Sequence, residues 1–195
     1  VRLDEPRAAL LLGRLAHLLD AFPGELAKAV TASINAVAGR TRNRAIKILA
    51  ARYAAEPGSF RDKIGVARAR GDGGAATVYG HGRGISLSKW PNRPVPVVKD
   101  SGRVYMGVAV QVLRAGGHKT VKGGFLARGR NGGSLIYRRK GGPRLPVEAL
   151  YGPSIVGWFK DPENLKELSD FAGEQLGPVV RAVAMRRLRK LGLAI

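Results

Sequence analysis

Residues 121–159 read VKGGFLARGRNGGSLIYRRKGGPRLPVEALYGPSIVGWF, a segment that divides itself by chemistry. Phe125, Leu126 and Ala127 form a short apolar run, and Ser134 to Tyr137 form a second. Between them stand Asn131, Gly132 and Gly133, residue types that take positive φ at little steric cost, so the spacing predicts a β-hairpin. The second run leads directly into Arg138, Arg139 and Lys140. Leu145-Pro146 and Tyr151-Gly152-Pro153-Ser154 then stiffen the exit, because each proline fixes its own φ and restricts its predecessor. The segment reads as a rigid, basic hairpin with an aromatic-rich tail, and nothing in it looks like a catalytic pocket.

Upstream of the hairpin, Val104 to Leu113 is the clearest strand. Val104, Met106, Val108, Val110 and Val112 alternate with Tyr105, Gly107, Ala109, Gln111 and Leu113, the period-2 pattern of a half-buried strand. Shorter β-prone runs occupy Ile64–Ala69, Ala75–Tyr79 and Ile85–Leu87. Residues 71–84 read as a loop, and so does the proline-punctuated stretch from Trp90 to Asp100. Together these runs predict one antiparallel sheet of about four to six strands.

Helices bracket this β region. Residues 4–21 place Leu11, Leu15, Leu18 and Leu19 on one face behind Asp4 and Glu5. Phe22-Pro23-Gly24 breaks the run. A longer helix follows from Glu25 to Tyr53, with Leu26, Val30, Ile34, Val37, Ala45 and Ile48 on a stripe, and Pro57-Gly58 ends it. Arg40, Arg44 and Lys47 flank that stripe, either as a solvated face or as cations within reach of a phosphate backbone. Asp161-Pro162-Glu163 is a strong helix start. Leu165, Leu168, Phe171 and Leu176 follow inward, with a kink expected at Gly177-Pro178. Arg186, Arg187, Arg189 and Lys190 close the helix as complement to its dipole or as ligand contacts. The fold class is therefore α+β: N-terminal helices, a central antiparallel sheet with a basic hairpin, and a C-terminal helix. Within one structural domain this gives a helical scaffold (1–58), a basic β region (59–144) and a linker with the C-terminal helix (145–195).

The 195 residues are 45% apolar and carry a formal charge of +20, with a pI near 11.3. Residues 61–144 hold eighteen Lys/Arg against three Asp/Glu, a balance of +15, while 1–60 contribute +4 and 145–195 only +1. Concentrated positive charge is the electrostatic footprint of a polyanionic partner, nucleic acid above all. With no cysteine there are no disulfides and no thiolate chemistry. No stretch approaches the roughly 20 apolar residues that span a bilayer, and neither export nor a membrane partner is expected.

His17, His81 and His118 have no partner at metal-ligand spacing. Gly80-His81-Gly82-Arg83-Gly84 is neither a dinucleotide fingerprint nor a Walker loop. Asp62, Asp72 and Asp100 are far apart, whereas a two-metal site needs clustered carboxylates. The expectation is a protein that is not an enzyme, with no cofactor, metal or small-molecule substrate.

Three blocks then carry a resemblance that covers nearly the whole chain except about residues 71–118. They are AVTASINAVA (Ala29–Ala38) with the basic run to Tyr53, GGFLA (Gly123–Ala127) with YRRK (Tyr137–Lys140), and RLPVEALYGPSI (Arg144–Ile155). In order and spacing the chain resembles the minor tail protein Z family, the tail-completion proteins of long-tailed phages. It departs in carrying Gly123 where family members often have proline. The resemblance implies a structural virion protein at the head-proximal end of the tail, active in head–tail joining and placement of the DNA end, with no catalytic residues. Expected partners are further copies in a six-fold ring, tail terminator, tail tube or connector proteins, and genome DNA in the lumen. On this reading Arg128, Arg130, Arg138, Arg139, Lys140 and Arg144 face phosphate. Tyr151, Pro153, Ile155, Trp158 and Phe159 anchor a neighbouring protein, unless Trp158 and Phe159 pack into the core instead. The competing reading is a free, sequence-independent nucleic-acid-binding protein, ribosome- or nucleoid-associated, which shares the charge but not the ordered blocks.

Overall fold

Helix α1 spans Pro23–Arg52 in a computed structural model that describes residues 2–3, 23–71, 74–98, 101–129, 132–141 and 145–190. The helix expected over 4–21 lies outside them. Pro23-Gly24 thus opens α1, since a proline in the first turn has no intrahelical acceptor to lose. Its buried stripe is Ala29, Val30, Ile34, Val37, Ala38, Ala45, Ile46 and Leu49, at steps of three and four that return to one face each turn. Three further helices follow: α2 (Pro57–Arg61), α3 (Ile155–Lys160) and α4 (Pro162–Lys190). Pro57-Gly58, expected to end the long helix, begins α2 instead, again because proline suits the first turn.

The architecture is α+β, and it divides into two compact units. The first comprises Val1–Ala45, Ile64–His81 and Trp158–Ile195; the second comprises Ile46–Lys63 and Gly82–Gly157. The expected single sheet is corrected to three separate three-stranded antiparallel sheets.

In the first unit, β1 (Arg2–Leu3), β2 (Ile64–Ala67) and β3 (Ala76–Gly80) pair in the order β1-β3-β2. Polar residues of α1 hold this sheet by its backbone. Asn35 Oδ1 accepts from Ala69 N at 2.8 Å while its Nδ2 donates to Ala69 O at 3.1 Å. Arg42 Nε donates to Ile64 O at 2.7 Å, and Thr31 Oγ1 to Gly71 O at 3.1 Å. Helix α4 runs antiparallel to α1, as its cross-links show: Glu25 with Arg187 at 2.7 Å, Arg40 with Gln175 at 2.8 Å, and Arg44 with Glu167 at 2.9 Å. Asp161 Oδ1 caps α4 by accepting from Glu163 N at 3.0 Å. The helix continues through Pro178 to Lys190. An interior proline costs about 3 kcal/mol. Burial of Leu168, Leu176, Val179, Val180 and Leu188 on both sides of it, at roughly 1.5–3 kcal/mol each, outweighs that cost.

The second unit holds the remaining strands: β4 (Asn92–Val98), β5 (Val104–Val110) and β6 (Lys119–Val121) in one sheet, β7 (Gly124–Arg128), β8 (Ser134–Arg139) and β9 (Val147–Ala149) in the other. The stretch expected as a loop, Trp90 to Asp100, contains β4, which pairs with β5 over seven residues. Its prolines are compatible with pairing because of their parity. Gln111 N donates to Pro91 O at 2.9 Å; with a ladder period of two, odd-numbered β4 residues face β5, and Pro94 and Pro96 turn their nitrogens outward. The expected strand at Ile85–Leu87 becomes a single bridge at Ser86 and a 3-10 turn over Leu87–Lys89, opened by Ser88 N donating to Ser86 Oγ at 3.4 Å.

The interior of this unit is organised by Trp90. Its indole meets Tyr53 and Phe60 edge-on, with centroids 6.0 and 6.3 Å away, and its Nε1 donates to Ile85 O at 3.3 Å. A Cβ at Gly152 would lie 2.7 Å from the indole, so only glycine fits there. Nothing lies within 4 Å of a Cβ at Gly39, inside α1. Gly152→Ala is expected to destabilise the protein by about 1–3 kcal/mol through overpacking, whereas Gly39→Ala stabilises it by roughly 0.5–1 kcal/mol. Urea unfolding of both variants checks this, and equal midpoints would contradict it.

Candidate nucleic-acid interface

The second unit concentrates the charge. It carries eighteen Lys/Arg against four Asp/Glu, a balance of +14, while the first unit carries sixteen against ten, +6. Between Gly82 and Gly157 the carboxylates are Asp100, outside the described residues, and Glu148.

Register sorts the basic hairpin. Gly124 pairs with Arg138, Leu126 with Ile136, and Arg128 with Ser134; Arg138 in turn pairs with Glu148 on β9. Successive side chains alternate across a strand, so Arg128 and Arg138 share one face with Glu148. Arg139 takes the other, beside Phe125 and Tyr137. Its guanidinium sits 5.2 Å from the Phe125 centroid, and Phe125 stacks on Tyr137 at 6.1 Å. Of the six cations expected to face phosphate together, the four described are divided between two faces, Arg139 standing apart from Arg128, Arg138 and Lys140. Arg130 and Arg144 lie outside the described residues.

Glu148 meets its neighbours as a fork. Arg138 donates from Nε at 3.0 Å and Nη2 at 2.5 Å to Glu148 Oε1, and Lys140 Nζ stands 3.7 Å from Oε2. The Arg138 hydrogen bonds, with Lys140 adding to them, hold the carboxyl below its usual 4.5. Glu25 is lowered in the same way by Lys28 and Arg187.

Other cations of the unit have internal work. Arg114 donates from Nε to Ala50 O at 2.5 Å and from its backbone N to Arg52 O at 3.1 Å, placing positive charge at the C-terminal end of α1. By contrast Arg83, Lys89, Arg93, Arg103, Lys119, Lys122 and Arg128 are exposed and have no ion pair among the described residues. In the first unit, Arg40 and Arg44 are engaged by α4, with Arg44 also 5.8 Å from the Phe171 ring. Lys47 is exposed. Of the closing cluster, Arg187 is paired with Glu25 and Arg186, Arg189 and Lys190 are exposed.

The aromatic tail separates as well. Tyr151 is 45% exposed, and Pro153 and Phe159 are half-buried. Ile155 and Trp158 are buried, at 3% and 6%, which takes the core alternative for Trp158. Trp158 meets Phe159 edge-on at 5.2 Å.

Among the described residues no group of three or more His, Asp or Glu could hold a metal ion. None of the described helices is long and apolar enough to cross a membrane. Comparison with protein-family models, with curated proteins and with solved structures finds no match.

What sequence reasoning missed is Glu148 as an internal counter-ion. The signal was its isolation as a carboxylate, but its use depends on the three-residue strand β9, whose pairing no local pattern announces. Because the Glu148 pKa is lowered on folding, its pair stabilises the protein above pH about 4.5, and that contribution is lost as pH falls through the lowered value. Glu148→Gln is therefore expected to lose less stability than the parent between about pH 5 and about pH 3. Chemical denaturation across that range measures it, and identical acid limbs would exclude the pair as a contributor.

Proposed function

We propose that this chain is a structural component of a phage virion, a tail-completion protein at the head-proximal end of the tail, assembled as a ring around the DNA passage. The observation that carries the reading is the charge of the second unit, eighteen cations against four carboxylates in the part of the chain that holds two of the small antiparallel sheets. The resemblance of the ordered blocks supplies the setting. Of those blocks, GGFLA and YRRK build the β7–β8 hairpin, and VEALYG supplies both β9 and the glycine against Trp90. They are parts of one scaffold.

DNA is the polyanion that such a passage holds. Arg128, Arg138 and Lys140 meet its phosphates from one face of the hairpin, and the exposed cations of β4 to β6 add to the field. Such contacts position a duplex without reading its sequence, and counterion release makes them salt-sensitive. Tail and connector proteins and further copies of the chain are the protein partners, with Tyr151 and Pro153 as contacts.

Filter binding of duplex DNA across a salt series tests the reading. The logarithm of affinity should fall linearly with the logarithm of salt, at about 0.9 per phosphate engaged. Replacing Arg128, Arg138 and Lys140 by Ala should flatten that slope by about 2 to 3, equally for unrelated sequences. A flat response in the parent protein, or strong preference for one sequence, would remove DNA-passage lining as the role.

A further inference from the structure

Two of the cations assigned to phosphate above already hold an anion. Among the described residues from Gly82 to Gly157, Glu148 is the one carboxylate, and it is set inside the basic face of the β7–β8 hairpin. Strand β9 places it directly across from Arg138. Leu150 N donates to Ile136 O at 2.9 Å and Lys140 N to Pro146 O at 3.1 Å, so the backbone fixes that opposition from both sides. Arg138 then gives Nε and Nη2 to Oε1, and Lys140 Nζ approaches Oε2.

A phosphodiester is held in the same manner. A guanidinium offers one forked set of N–H groups to a carboxylate or to a phosphate, and a lysine adds a point charge to either. The two anions therefore compete for the same donors. The carboxylate's hold is open to exchange, since the Arg138 and Lys140 side chains are 53% and 58% exposed and that of Glu148 is 31% exposed. Ion pairs as open as these are weak and screened by salt. A phosphate contact also releases condensed counterions, which favours the exchange.

We propose that Glu148 is a built-in stand-in for phosphate: it holds Arg138 and Lys140 while the passage is empty, and it yields them to the DNA backbone when a duplex enters. The inference rests on the DNA reading above and adds how that same site is regulated. Before DNA arrives, the carboxylate offsets the repulsion between cations two residues apart. Afterwards it stands beside the phosphates as a like charge. That limits how tightly the duplex is held, as suits a surface along which DNA has to move.

Glu148→Gln keeps the shape of the side chain and removes its charge. In filter binding across a salt series the variant is expected to hold duplex DNA about three- to tenfold more tightly than the parent, having neither a pair to break nor a like charge beside the phosphate. The slope against salt should be unchanged, because the same phosphates are engaged in both. In an Arg138→Ala background the gain from Glu148→Gln should be at least about twofold smaller, since the exchange runs through Arg138. Circular dichroism melts confirm folding, and Glu148→Thr, uncharged and suited to a strand, serves if the amide unfolds the sheet.

Equal or weaker binding by the variant overturns the inference, and Glu148 then only positions its cations. A steeper slope in the variant overturns it too, because the carboxylate would be keeping both cations in the parent complex. So does a gain of equal size in both backgrounds, which is net charge alone. In each of these cases the parent still binds DNA and the passage reading stands. A parent that binds no DNA at low salt removes that reading, and the stand-in with it.

Discussion

One indole holds the second unit together. Trp90 joins three segments: the end of α1 and α2 through Tyr53 and Phe60, the residues before the 3-10 turn through the Ile85 carbonyl, and the exit from β9 through the bare backbone of Gly152. Edge-on ring pairs contribute about 0.5–1.5 kcal/mol each beyond the area they bury, which is large for sheets of three strands. The geometry matters as much as the energy. Strand β4 departs two residues after Trp90, and Gly152 follows three residues after β9. The position of both sheets within the unit is therefore set from one side chain.

That rigidity has to withstand a charge that favours expansion. A balance of +14 in one unit repels itself, and the chain answers locally. Arg114 is spent on helix carbonyls, Arg139 lies against a ring, and one carboxylate serves both Arg138 and Lys140. The remaining cations are left on the surface of sheets too small to bury them. A polyanion brought to this surface relieves a strain that the fold cannot remove internally, so binding and stabilisation are linked.

Much of the frame was legible in the sequence, for reasons that can be named. Asp161-Pro162-Glu163 combines an acceptor, a preset φ and an acid at the positive end of a dipole, and α4 begins there. The β7–β8 hairpin follows from alternation and glycine. What escaped was long-range. Pro94 and Pro96 mark a loop by composition, but their shared parity lets β4 pair. The alternation of Val104 to Val110 foretold a strand, yet not that its first half would stand uncovered, because cover comes from elsewhere in the chain. The opposition of Arg138 and Arg139 was available from period two alone. That of Glu148 to Arg138 was not, since it requires the register of β9.

The two outward prolines of β4 carry a consequence for how copies of this chain can coexist. A solvent-facing ladder of amides is the template on which cross-β fibres nucleate, each new chain supplying the hydrogen bonds its predecessor lacks. Here two successive rungs have no hydrogen to offer. The arm that exposes Val98, Val104 and Met106 is thereby prevented from extending its sheet through the backbone of β4, so its apolar side chains stay exposed without offering a template for a fibril.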